Sequence, residues 1–397
     1  MVRVASLFAQ VLSVIDRRAF ARQVHLHDAE RGAKGFGCWD QLVAMLFVQL
    51  GGAHSLREVF GGLACAMGKL RHLGVCAAPA RSTLSYANAH RPWQLYESMF
   101  YQVLASAQAV AGLQKRRFCF KNPLVSLDAT VIDLCAEVFD WARFRRTKGA
   151  VKLHLQLDHH GCLPSWALVT EGAVHEVNPA RTLQFKPDTI VAVDRGYLDL
   201  GLFNQWCERG VWFVTRCKSN LDYHMIEDRP VPRNRNILFD QIIELAGPRS
   251  RAACPHRLRR VVVWDEAGGR SIELLTNHLS FGATTIAAIY KDRWQIELFF
   301  KALKQNLRVK TFVGTSANAV RIQLWTALIA MLILKMLQMR STFGWSLSNL
   351  AAMLRMNLLV YRDLWRWLDE PYTKPPDPPT DQLQLFGPNS WTANQPT

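Results

Sequence analysis

Near residue 119 the chain changes texture, and the change decides its fold class. From 1 to about 118 apolar residues recur at helical spacing, as in 41–50 and 96–105. After that come short apolar runs bounded by turn residues, at 124–131, 151–157, 165–170 and 189–194. Runs this short suit strands better than helices, so a mixed sheet is expected. The run 151–157 alternates apolar and polar residues, the pattern of an antiparallel strand with one wetter face. A helix is expected at 198–208, then strands at 211–217, 260–265 and 271–276, the last two joined through the hairpin signal 266–270. Residues 282–337 return to helical period. From about 369 the sequence is Pro-rich and polar and is expected to be disordered. The pattern is an α/β chain preceded by an all-α segment, without an internal repeat.

Length and charge narrow the function. A chain of 397 residues with 49% apolar content builds its core without a disulfide or metal staple. A net charge of +16 points to a polyanionic partner, nucleic acid or an anionic membrane surface. The membrane is the weaker choice, because the longest apolar run, 324–334, is bracketed by Arg321 and Lys335 and is too short to span a bilayer. No signal peptide is legible at the N-terminus. Nine scattered cysteines suit a reducing cytosol. Cys254 and His256 lack a second pair at finger spacing, so no structural zinc site is expected.

Several acids stand where chemistry could use them. Asp128 follows the apolar run 124–127, within or at the end of a buried strand. Asp194 ends the run 190–193 and is followed by Arg195 and Gly196, which places it at a strand's carboxyl end. Asp133, Asp140 and Asp188 are less well placed. A third carboxylate, Glu297, sits among cations. At about 100° per residue, Arg293, Glu297 and Lys304 fall within about 60° of Tyr290 around a helix axis, while Ile296, Phe299, Phe300 and Leu303 anchor that helix. Such a stripe can hold a divalent ion beside phosphates. It can equally be a solvated face with i,i+4 pairs, Arg293 with Glu297 or Glu297 with Lys301. Near the N-terminus, Ser82 or Thr83 could cap a helix presenting Arg81, Tyr86, Asn88 and Arg91, either a helix-turn-helix reader or a polar surface helix.

Asp128-Ala-Thr130, Asp194-Arg-Gly-Tyr197 and the spaced set Tyr290, Arg293, Glu297 and Lys304, in this order, resemble the DDE transposases of bacterial insertion sequences. The subgroup is the insertion-sequence-four family with its Tyr-Arg-Glu-Lys signature, and the resemblance spans about 8 to 340. The family often has Ser or Gly after the first aspartate, where this chain has Ala129. The resemblance implies an RNase H-like catalytic domain at 119–345 with a β-rich insertion at about 209–280. A helical DNA-binding domain at 1–118 would precede it, with a helical region at 346–368 and a disordered tail at 369–397 to follow. It further implies that Asp128, Asp194 and Glu297 bind two Mg²⁺ ions, replaceable by Mn²⁺. Water attack at the element end, strand transfer and a DNA hairpin intermediate would follow, with Tyr290, Arg293 and Lys304 on the phosphates.

Trp212 and Trp264 are candidates to stack on a flipped base, and Arg216 and Lys218 to hold backbone phosphate. In the tail, Gln382, Leu383, Leu385 and Phe386 resemble the pentapeptide by which bacterial proteins dock on the replication sliding clamp, with Gln384 in place of the usual Ser or Asp. The implied partners are double-stranded DNA, as terminal inverted repeats and target, and a second copy in a synaptic homodimer. The implied place is the bacterial cytoplasm, at the nucleoid. Two other readings stay open: a structure-selective nuclease on the same fold, and a transposase-derived DNA-binding repressor.

Overall fold

The computed structural model describes residues 5–372 apart from 67, 136–138, 140, 142, 146–147, 219, 234 and 310. Asp140 and the tail residues Gln382, Leu383, Leu385 and Phe386 lie outside the described residues.

Seven helices lead the chain: α1 (Leu7–Leu12), α2 (Arg17–Leu26), α3 (Cys38–Leu50), α4 (Leu56–Ala64), α5 (Leu70–Leu73), α6 (Arg81–His90) and α7 (Gln94–Ala111). Side-chain caps start several of them. Ser6, Asp16 and Ser55 accept backbone N–H bonds at the first turns of α1, α2 and α4. α6 is different from expectation. Its N-cap is Ala80, with no side-chain bond, and Asn88 is fully buried, accepting from Gln41 Nε2 at 2.8 Å.

The strands are β1 (Leu124–Leu134), β2 (Arg143–Arg145), β3 (Lys148–Asp158), β4 (Leu163–Glu171), β5 (Ile190–Val193), β6 (Trp212–Arg216), β7 (Tyr223–Asp228), β8 (Ile237–Leu245), β9 (Leu258–Asp265) and β10 (Arg270–Thr276). Helices α8 (Val177–Thr182), α9 (Leu200–Glu208) and α10 (Pro248–Ala253) interrupt them. After β10 come α11 (Ala283–Asp292), α12 (Trp294–Asn306), α13 (Ala317–Arg340), α14 (Leu347–Asn357) and α15 (Leu364–Asp369).

β4, β3 and β1 pair antiparallel, and β1, β5 and β6 pair parallel, which is the RNase H-like strand order. β10, β9, β8 and β7 then extend the same sheet from the far side of β6. Because β6 runs parallel to β5, it belongs to the core ladder, and the excursion begins after Arg216 rather than near 209. β7 and β8 have no counterpart in the sequence reading. β7 is exposed along nearly its whole length, so it carries no apolar run to mark it.

The helical stretch expected at 282–337 is broken twice. At Arg293 the helix is interrupted for one residue that keeps helical dihedrals (φ −49°, ψ −31°). Residues 307–309 and 311–316 are not helical, and two buried glutamines take up their backbone groups. Gln323 accepts from Val313 N at 2.9 Å and donates to Arg308 O and Thr311 O at 2.6 and 2.7 Å, while Gln49 accepts from Arg308 N at 2.8 Å.

α13 is the axis of the molecule. It is long and apolar enough to cross a membrane, yet it is buried inside the protein, packed by α3, α6, α7 and β4. One continuous core joins Leu7, Phe47 and Phe100 of the leading helices to Leu153, Phe299 and Leu328. The two ends of the described chain are also tied. Phe8 N donates to Leu358 O at 2.8 Å, and Gln10 Nε2 donates to Arg362 O at 2.6 Å.

Candidate active site

The ladder between β1 and β5 brings two acids together. Leu127 faces Val193 in parallel register, so the next residue on each strand is a carboxylate, Asp128 beside Asp194. Each is held by its own backbone. Asp128 Oδ1 accepts from Ala129 N at 2.8 Å, and Asp194 Oδ1 accepts from Gly196 N at 2.7 Å, capping the turn Arg195–Tyr197. Thr215 on β6 donates to Asp194 O at 3.1 Å and pins that turn to the sheet. Burial pushes the Asp128 carboxyl up to about 7, and the neighbouring Asp194 adds to the rise, against the Ala129 hydrogen bond and the Arg293 charge.

A third acid, which sequence reasoning missed, crowds the same corner. A Cβ on Gly196 would meet Asp194 Oδ1 at 3.0 Å and Glu176 Oε2 at 3.4 Å, and Glu176 also raises Asp128. Glu176 stands just ahead of α8, makes no capping bond to it, and lies 3.6 Å from Lys152 Nζ. No local pattern marks it, since only the tertiary fold carries the segment after β4 back over β1.

Glu297 lies on α12, which packs against β1. Its Oε1 accepts from Arg293 Nη2 at 2.6 Å, so the ordinary i,i+4 pair exists, although Arg293 is nine-tenths buried. The Arg293 guanidinium lies 5.5 Å from the Tyr290 ring centre and also feels Asp128. Among the described residues, no three His, Cys, Asp or Glu side chains converge as a ready metal cage. Asp128 and Asp194 are together, and Glu297 is turned onto Arg293. Lys304 Nζ donates to Val131 O at 3.0 Å, three residues beyond Asp128, and so fastens α12 to β1.

Other candidates separate. Arg91 is a fastener rather than a surface cation: it donates to Phe36 O, to Gly37 O at 2.8 Å and to Gln41 Oε1 at 3.1 Å. Its guanidinium takes up Phe36 O, which precedes the helix, and shares Gly37 O with the backbone N–H of Gln41. Arg81 is exposed at the start of α6, and Tyr86 stacks on His90 beside it. Arg216 is half-buried at the end of β6, and Lys218 is exposed just past it. Trp212 is half-buried, donating to Asp188 Oδ1 at 3.3 Å with its ring against His278. Trp264 is 41% exposed and Trp294 54%. Both line one groove of about 570 Å³ with Tyr290, Lys291 and Arg293.

Residues 120–333 match the transposase DDE domain family, and residues 3–76 match a domain of unknown function. A putative transposase of Sinorhizobium fredii is 30% identical over 262 residues, 65% of this chain and 71% of that protein. A probable transposase for an insertion sequence element of Geobacillus stearothermophilus is 28% identical over 258 residues, 64% of this chain and 67% of that protein. Among solved structures, a piggyBac transposase synaptic complex with hairpin DNA is 10% identical over 89% of this chain and 78% of that one. Its TM-score is 0.41, a likeness too loose to argue from.

Proposed function

The chain belongs to the DDE transposase family, and from that premise we propose that it moves its own element by cut-and-paste transposition, with metal-dependent hydrolysis and strand transfer at the element ends. The observation that carries this reading is Asp128, within β1, beside Asp194, just past the end of the parallel strand β5, with Glu297 on the helix that packs over β1. The donor set fits divalent ions. Two adjacent carboxylates, with Glu176 crowding them, gather negative charge, and burial keeps the Asp128 carboxyl protonated up to about pH 7 when no cation is there. Asp128, Asp194 and Glu297 would hold two Mg²⁺ ions, with Mn²⁺ able to substitute. Once bound, the ions supply an ionised water and stabilise the leaving oxygen.

The protein's own groups do the positioning. Arg293 would share Glu297 with the ions and offer its remaining donors to a phosphate, with Tyr290 beneath its guanidinium. Lys304 would add charge on the same side. The groove between Trp264 and Trp294 suits a base turned out of the stack, which the hairpin route requires. The net charge of +16 supports double-stranded DNA as the substrate, with Arg81, Arg216 and Lys218 as further phosphate contacts. A homodimer would synapse two ends. Sliding-clamp docking through Gln382, Leu383, Leu385 and Phe386 rests on sequence alone.

The pairing of Glu297 with Arg293 favours one rival, a DNA-binding repressor that holds ends without cutting. An end-cleavage assay on DNA carrying the element's flanking inverted repeats separates the two. Wild type is expected to cut with Mg²⁺ or Mn²⁺, and Asp128→Ala to lose at least about 10³-fold. Equal cutting by both would remove the metal assignment, and binding without cutting by wild type would favour the repressor.

A further inference from the structure

Directly behind the candidate metal corner runs a buried chain of hydrogen bonds that the reaction itself does not use. Asp292, the last residue of α11, accepts from His159 Nδ1 at 2.6 Å, and His159 Nε2 lies 2.7 Å from Ser126 Oγ. The side chains of His159 and Asp292 are 5% and 3% exposed, and Ser126 is fully buried. Arg117 forms an ion pair with the other Asp292 oxygen from the surface. With a carboxylate on Nδ1, that nitrogen carries the proton, so Nε2 accepts from the serine hydroxyl. The order serine, histidine, aspartate does not make a nucleophile here, because no substrate reaches a hydroxyl with no exposed surface.

The chain joins the two halves of the site. Ser126 and Asp128 are two residues apart on β1 and therefore share a face of the strand. Asp292 precedes Arg293, the interruption from which α12 sets out carrying Glu297. His159 is itself pinned, its N donating to Leu124 O at 3.0 Å. Two short charge-assisted or buried bonds thus fix where α11 ends relative to β1, and with it the separation of Asp128 from Glu297.

We propose that Asp292 and His159 are positioning residues, which set the distance between the β1 and α12 carboxylates and so the affinity of the site for divalent ions. The proposal rests on the metal-dependent reading above. The test uses the full chain with Asp292→Asn, His159→Gln and Ser126→Ala. It reads Mg²⁺-dependent end cleavage, Mn²⁺ affinity by titration calorimetry, end binding in Ca²⁺, and melting temperature. For Asp292→Asn, cleavage is expected to fall about 100-fold and Mn²⁺ affinity about tenfold, with end binding within about twofold of wild type. The double variant Asp292→Asn/His159→Gln should lose no more than the worse single one, because the residues act as one unit. If Asp292→Asn does not fold, His159→Gln and Ser126→Ala carry the same readouts. Unchanged Mn²⁺ affinity and cleavage in the folded variants would overturn the proposal. Failure of wild type itself to cut would instead strike the functional reading.

Discussion

Asp128 ties the site's chemistry to the protein's stability. Its folded value of about 7 stands above its ordinary 3.8, so the folded state holds a proton that the unfolded chain has released. The stability this gives is complete below about pH 4 and is lost as pH rises through 7. Asp128→Asn, which cannot ionise, should therefore raise the melting temperature of the metal-free protein. The gain should be larger at pH 8 than at pH 5, on the order of a few degrees. Mg²⁺ should raise wild type at pH 8 and leave the variant unmoved. Differential scanning fluorimetry at the two pH values, with and without Mg²⁺, reads this directly. A gain that shrinks as pH rises would contradict the burial argument. Asp128 and Asp194 stood out because each ends an apolar run, and Tyr290, Arg293, Glu297 and Lys304 because they recur at helical spacing. Glu176 did not, and neither did the Ser126, His159 and Asp292 chain, whose members are 33 and 133 residues apart.

The break between α12 and α13 shows how an element can be misread from periodicity. Apolar period continues across the gap, but the carboxamides of Gln323 and Gln49 take the backbone groups a helix would have used. A buried glutamine looks the same in sequence as a surface one. Gln323→Leu nearly keeps the volume but strands Val313 N and Thr311 O and leaves Arg308 O with only the 3.5 Å bond from Gln49 Nε2. The expected loss is about 2–4 kcal/mol of unfolding free energy, measured by urea titration. A loss under about 0.5 kcal/mol would mean that the loop holds its shape by other contacts. α6 teaches the same lesson in reverse. Its polar residues read as one exposed face, yet Asn88 is buried in the core, and Arg91 just beyond it ties down the start of α3.

At the scale of the whole molecule, the leading helices and the RNase H-like sheet enclose α13 between them in one core. They are therefore expected to unfold together. Far-UV circular dichroism and tryptophan fluorescence should trace one coincident transition in urea, and two separated transitions would show the helical part to be an independent unit. The sequence alone determined the fold class, strands β1, β3 to β6, β9 and β10, the acids that end apolar runs and the helical signature. All of these follow from periodicity and spacing within a few residues, where backbone geometry dictates which side chains share a face. Tertiary structure decided the rest: that β6 belongs to the core ladder, that Arg91 turns inward, that Glu297 rests on Arg293, and that a buried histidine joins β1 to the end of α11. Those outcomes depend on which distant segment supplies the partner for a buried polar group, and no local pattern carries that information.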